Sequence, residues 1–211
     1  MEKVVQTADG DMSEMTACVL RALGSLQKAE KPILIAIDGR CCVGKTTLAQ
    51  SLQKEIGCRV IHMDDFFLRP EQRTEKRYHE PGGNVDYERF LMEVMEPLAE
   101  HRPFSYRPYD CKRQALSEVI EVQPCDVAVI EGSYSCHPAL WDFYDLRIFM
   151  DVGKEEQLRR IAKRNGEAAL AVFREKWIPL EEAYIKAYDI EGRCDLRFGL
   201  PLKEKRTFHV Q

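Results

Sequence analysis

No stretch of this 211-residue chain approaches the ~18 consecutive apolar residues of a membrane span. Neither sign of charge dominates. The 31 Lys and Arg stand against 35 Asp and Glu, a formal net charge of −4, which removes any global attraction to nucleic acid or to an anionic membrane. Eight cysteines are present, yet none lies in a C-x-x-C pair and none sits at zinc spacing from a histidine. The opening residues Met1-Glu2-Lys3-Val4-Val5-Gln6 do not have the layout of a secretory leader. Reduced thiols in a soluble cytoplasmic protein are the expectation, several of them acting as small buried hydrophobes. Internal repeats and low-complexity segments are also missing. What is present is 45 % hydrophobic residues, enough for a real core. The length suits one domain, placed at 32–211, with residues 1–31 as a helical extension packed on it.

The chain is organised around Ile33–Ala49. It reads as a buried strand, a tight glycine loop and then a helix. Gly39 to Thr46 fit G-x-x-x-x-G-K-[ST] without mismatch. Gly39 and Gly44 can take backbone angles closed to residues with a Cβ, so successive amides turn inward as a concave anion site. The following helix aims its free N–H groups at the same phosphates. Gly39, Cys42, Val43, Gly44, Lys45, Thr46 and Thr47 are the expected nucleotide contacts. Lys45 reaches the β and γ phosphates, and the Thr46 hydroxyl is placed for Mg²⁺. Cys41 and Cys42 lie inside the loop, where a helix N-terminus can lower a thiol pKa, so a redox role is conceivable.

Elsewhere the pattern is α/β. Residues 11–30 space Met12, Met15, Val19, Ala22, Leu23 and Leu26 as one face of a helix, with Ser13 as its N-cap and Lys31-Pro32 as its end. After Gly57, a C-cap, residues 58–63 read as a second buried strand running into Asp64 and Asp65. In open α/β sheets ligands sit at the carboxyl ends of strands, so both acids are expected on the triphosphate rim. Residues 69–83 read as a basic, mobile loop. Asp86 caps a helix from Tyr87 to about His101. Residues 104–110 and 118–122 read as an antiparallel hairpin. Residues 126–132 form a third strand ending in Glu131, where a Walker-B acid would support Mg²⁺. Leu146–Asp151 and Asp195–Phe198 are further strands. Between them lie a helix at 154–166 carrying Arg159, Arg160, Lys163 and Arg164, and another at 171–188 with Phe173, Trp177, Leu180, Ala183, Tyr184 and Ala187 on its apolar side.

Taken in order, Gly39–Thr46, Met63-Asp64-Asp65-Phe66-Phe67, Asn84-Val85-Asp86, Tyr109-Asp110, Ile130-Glu131-Gly132 and Arg159–Arg164 resemble the uridine kinase/phosphoribulokinase-like family of P-loop kinases. The resemblance covers roughly 33–198. It implies a P-loop NTPase fold: a five-stranded parallel sheet in order 2-3-1-4-5 flanked by helices, with a small β-hairpin and a helical, arginine-bearing lid. It implies that Asp64 accepts the substrate hydroxyl proton and helps hold Mg²⁺, with Glu131 as the second acid. Asp86 would bind ribose hydroxyls, and Tyr109 would lie beside the base. Phe67 and Arg69 join them on the substrate side, and Arg160 and Arg164 fall in the lid. The chain departs from the family's uridine kinases at Asp65 and Phe67, in Cys111-Lys112-Arg113 after Tyr-Asp, in the lid spacing, and in Pro81-Gly82-Gly83.

The implied reaction is transfer of the γ-phosphoryl of ATP, with Mg²⁺, to a small-molecule hydroxyl such as a nucleoside 5′-OH. Lys45, Asp64, Arg160 and Arg164 carry the chemistry, and Thr46, Glu131 and Asp64 the metal. Pantothenate-like, sugar phosphate and nucleoside monophosphate acceptors stay open, as does a nucleotide-binding module that transfers nothing. The only two asparagines precede Val85 and Gly166, so the guanine signature Asn-Lys-x-Asp is missing. No nucleic acid or membrane partner is expected, and a homo-oligomer is left open.

Overall fold

A computed structural model of the chain describes residues 11–26 and 32–200. Five strands form one parallel sheet: β1 (Ile33–Gly39), β2 (Arg59–His62), β3 (Val127–Glu131), β4 (Leu146–Val152) and β5 (Leu196–Leu200). Their order is β2-β3-β1-β4-β5. This is the P-loop NTPase arrangement. Strand β1 lies between β3 and β4: the chain leaves it for β2 on one side, returns through β3, and then crosses over it to β4 on the other. A crevice opens at that point beyond the carboxyl ends of the strands.

Successive side chains of a strand face opposite sides of the sheet. Leu34, Ala36, Ala128, Ile130 and Phe149 join one buried cluster, and Ile35, Ile37, Val129, Ile148 and Met150 the other. Both faces are therefore covered, as a parallel sheet requires. Helix α1 (Met12–Gly24) and helix α2 (Lys45–Ile56) cover the second face with Met15, Val19, Leu48 and Leu52. Each such side chain fully buried is worth about 1.5–3 kcal/mol. The first face is covered by helix α3, which runs over 87–99, through Phe90, Val94 and Leu98.

Several expectations shift. The cap of α1 is Asp11, whose carboxylate accepts from the Ser13 amide at 3.0 Å, so Ser13 is already helical. The helix stops at Gly24, and residues 27–31, including Lys31, lie outside the described residues. Segment 69–83 is ordered into a turn at Pro70–Gln72 and a short helix at Glu75–His79, capped by the Thr74 hydroxyl. Helix α3 ends at Ala99, and His101 adopts φ 52°. The hairpin is two short ladders, Phe104–Tyr106 with Ile120–Val122 and Tyr109–Asp110 with Ala115–Leu116.

Helix α4 (Lys154–Asn165) matches expectation. Helix α5 runs over 167–187 and contains a π turn at Phe173–Trp177 directly before Pro179. Helix α3 has the same device, a π turn at Leu91–Met95 before Pro97. A proline inside a helix clashes with the carbonyl four residues earlier, and one extra residue in the turn relieves it. In α5 that residue rotates everything after it. Glu181, Tyr184 and Ile185 are buried, while Ala183 and Ala187 are exposed, contrary to the regular helical spacing.

Candidate active site

The loop between β1 and α2 has the backbone that its glycines imply, with φ 134° at Gly39 and 107° at Gly44. Cys42 also lies in the left-handed region, at φ 62°, without being glycine. At Gly39 the reason is steric as well. A Cβ there would stand 2.0 Å from the Met150 carbonyl oxygen of β4. The residue before it, Asp38, is 1 % exposed and accepts from the Gly39, Tyr134 and Cys136 amides and the Tyr184 hydroxyl. One buried carboxyl thus ties the start of the loop to the β3–β4 connection and to α5. Burial pushes its pKa up, and those donors oppose the shift.

A cavity of about 450 Å³ lies over the loop. Lys45, Thr46, Asp64 and Glu131 all line it, and Arg160 and Arg164 reach it from α4. The Lys45 ammonium donates to the Gly39 and Arg40 carbonyls (2.7 and 2.9 Å) and to the Ser133 hydroxyl (3.2 Å). The Thr46 hydroxyl donates to Glu131 Oε1 (3.1 Å), which also lies 2.5 Å from His62 Nδ1. That carboxylate raises the His62 pKa. Asp64 ends β2 in a tight turn, and Gly132 makes room for it: a Cβ at 132 would meet Met63 Cβ at 2.9 Å and Asp64 Oδ1 at 3.3 Å. The Asp64 side chain is open to solvent but stands deep in the concavity. Desolvation by the surrounding protein raises its pKa, Lys45 opposes, and water in the cleft limits the effect. Its carboxylate has no hydrogen-bond partner among the described residues, so both oxygens face the cavity unused.

These residues fit ATP and Mg²⁺. The amide cradle, Lys45 and the α4 arginines suit a triphosphate. Thr46 and Glu131 offer hard oxygen donors side by side at its edge. Mg²⁺ ordinarily takes one or two protein oxygens and completes its shell with phosphates and water. Accordingly, no group of three or more His, Cys, Asp or Glu suited to a metal occurs among the described residues.

A second cavity, about 520 Å³, adjoins the first. The two share Cys41, Asp64, Ser133 and Arg164. Phe67 lines the second cavity as expected; Asp86, Tyr109 and Arg69 line neither. Asp86 is 4 % exposed, accepts from the Arg89 amide as the cap of α3, and accepts at its other oxygen from Gln72. Tyr109 is also buried, and its hydroxyl accepts from Arg73. Arg69 turns to Gln72 and Glu71.

Glu181, given no role from sequence, is 4 % exposed at the wall of the second cavity. It accepts from the Ser133 hydroxyl (2.6 Å) and from the Cys41 amide (3.0 Å), so α5 reaches into the phosphate loop. Burial raises its pKa, opposed by Lys45. Helical spacing without the π turn puts Glu181 on the polar side, and only the proline two residues earlier hinted otherwise. Arg40 completes the brace by pairing with Glu182 and Asp151.

A family model described as an AAA domain matches residues 35–175. A uridine kinase of Latilactobacillus sakei is 29 % identical over 150 residues, covering 65 % of this chain and 68 % of that protein. A uridine kinase of Ureaplasma parvum is 26 % identical over 175 residues, covering 74 % and 84 %. Among solved structures, a possible uridine kinase from Bacillus stearothermophilus superposes with a TM-score of 0.70 at 19 % identity, over 89 % of this chain and 98 % of its own. A putative fructose transport system kinase from Silicibacter sp. TM1040 gives 0.65 at 25 % identity, with the same coverage. The family match runs over well more than half of the sequence, across the loop, both acids and the arginine helix, and by it the chain belongs to the AAA-domain family, with P-loop uridine kinases as its sequence relatives.

Proposed function

We propose that the chain transfers the γ-phosphoryl group of ATP to a hydroxyl of a small molecule held in the second cavity. One observation carries this reading. The phosphate cavity and the second cavity meet at Asp64 and Arg164, so a donor in one and an acceptor in the other would touch across those side chains. Asp64 orients the hydroxyl and accepts its proton. In a loose transition state the proton leaves late, so the carboxylate need not be a strong base. Lys45 and Arg164 face the charge that develops on the transferred group, and Arg160 steadies the loop. Thr46 and Glu131 would hold Mg²⁺, which would supply charge neutralisation for the phosphates. The rest of the catalysis is positioning.

The resemblance by itself points to a nucleoside-like acceptor. Phe67, Tyr78, Phe173 and Trp177 give the second cavity ring surfaces for a planar base, and the kinases of L. sakei and U. parvum bear the name uridine kinase. A second reading, a phosphorylated or otherwise anionic acceptor, is favoured by Arg73 and Lys176 on the same wall. The test is coupled ADP release with Mg-ATP across nucleosides, nucleoside monophosphates, sugar phosphates and pantothenate-like alcohols. Release that rises at least tenfold above the water rate with one acceptor class supports the kinase reading. Release at the water rate with every compound, while ATP still binds, contradicts it.

A further inference from the structure

The second cavity is polarised. Its acids, Asp64 and Glu181, stand on the side shared with the phosphate loop, where Glu181 is occupied by Ser133 and the Cys41 amide. Away from that side the charged groups are Arg73 and Lys176. We propose that the acceptor is itself an anion, a small alcohol bearing a phosphate or carboxylate remote from the reacting hydroxyl, and that Arg73 and Lys176 hold that group. This inference rests on the kinase reading above and decides between its two acceptor classes.

The segment 69–77 carries three arginines, and their partners sort them. Arg69 turns to Gln72 and Glu71, and Arg77 pairs with Glu88 and Glu80. Arg73 alone of the three lines the cavity, and it alone has no carboxylate partner among the described residues. It is half-buried. Its Nε donates to the Leu68 carbonyl (3.0 Å) and one Nη donates to the Tyr109 hydroxyl (2.9 Å), which leaves the other Nη without a partner among the described residues. A guanidinium out of bulk water, fixed by two neutral acceptors and facing a cavity, is an anion site awaiting its counter-charge. Lys176 reaches the cavity from α5. Its ammonium lies 4.2 Å from the Tyr78 ring centre and 4.8 Å from that of Trp177, both lining residues, and no carboxylate pairs with it among the described residues.

A third side chain points to the rest of the ligand. Asn84 is 4 % exposed on the cavity wall, and neither its carboxamide oxygen nor its nitrogen reaches a partner at hydrogen-bonding geometry. The Tyr134 hydroxyl stands beside it as a side-chain partner within its reach, too poorly aligned to satisfy it. Buried carboxamides left in that state are rare in native proteins. The loop that presents it is closely packed: a Cβ at Gly83 would stand 2.2 Å from the Arg77 carbonyl oxygen, and one at Gly82 would stand 2.9 Å from His137. Asn84 is thus preorganised for a ligand group that both donates and accepts, such as a second hydroxyl or an amide.

Two measurements separate this inference from the kinase reading. The first compares acceptors in pairs differing only by the anion: a nucleoside with its monophosphate, a sugar with its phosphate, glycerol with glycerate. We expect the charged member of one pair to have a kcat/KM at least ~100-fold above its neutral partner, about the worth of two charge-assisted contacts. Arg73→Gln and Lys176→Gln should each raise KM for that acceptor about tenfold or more and change kcat little. Equal turnover of neutral and charged members, or a KM indifferent to both substitutions, overturns the anion site and leaves the kinase reading intact. The second measurement needs no turnover. Inorganic phosphate is titrated into the enzyme whose P-loop is filled with Mg²⁺ and a non-hydrolysable ATP analogue. Millimolar binding that disappears in both variants supports the site. No binding, or binding unchanged in the variants, overturns it.

Discussion

At the scale of single residues the site is built from groups whose surroundings set their chemistry. Cys42 is the clearest case. The adjacent Cys41 thiol, Arg164 and Lys45 together lower its pKa from the ordinary thiol value despite partial burial. Among the other cysteines, Cys111 is exposed but burial of its thiol raises its pKa, as it does for Cys125. Under native conditions at pH 7.5, iodoacetamide should therefore label Cys42 ahead of the other seven, and saturating Mg-ATP should slow that labelling about tenfold or more. Peptide mapping with time reads both outcomes, and first labelling at Cys111 would contradict them. The P-loop itself was plain from eight consecutive residues. The thiol pair was visible, but its polarity depends on φ 62° at Cys42 and on side chains from α4, and neither is a local property.

At the scale of elements, α4 and α5 divide the work. Arg160 bonds Glu156 and approaches the Cys42 and Val43 carbonyls, so it braces the loop. Among the described residues Arg164 bonds only the neighbouring Asn165, and it lines both cavities, so its head is available to the transferred group. Arg160→Ala should weaken ATP binding several-fold with a modest effect on kcat. Arg164→Ala should lower kcat about 100-fold or more with the Kd for ATP nearly unchanged. Calorimetry and steady-state kinetics separate the two; identical profiles would remove the distinction. The strands and their order were legible because aliphatic runs bounded by Gly and Asp leave little choice. The apolar face of α5 was not, because the π turn before Pro179 rotates its second half. Asp86 and Tyr109, to which the resemblance gives substrate contacts, line neither cavity: Asp86 caps α3 and accepts from Gln72, and Tyr109 accepts from Arg73. Spacing alone cannot show that a residue is already engaged.

At the scale of the whole molecule, function has a cost in stability. Carboxyl groups are desolvated in and around the crevice. Asp38, Asp64, Asp65 and Glu181 all have raised pKa values, with desolvation as the largest cause in each. A group whose native pKa is raised contributes stability that is fully present below its unfolded value and lost as pH rises through the folded one. Glu181 sits in this class, starting from an ordinary value of 4.5. Glu181→Gln, which imitates the protonated form, should then be more stable than wild type in urea at pH 7.5, and the difference should vanish below pH 4. A variant less stable at pH 7.5 would show that Lys45 more than offsets the desolvation. The same crevice gives the account its central claim, that Asp64 stands between a nucleotide and a hydroxyl and serves the second. Substituting Asp64→Asn and following one turnover with the acceptor that releases ADP best tests it most directly. The account predicts that the Kd for Mg-ATP stays within a few-fold of wild type while acceptor-dependent ADP formation falls by about 10²–10⁴. Transfer at the wild-type rate in that variant would contradict it.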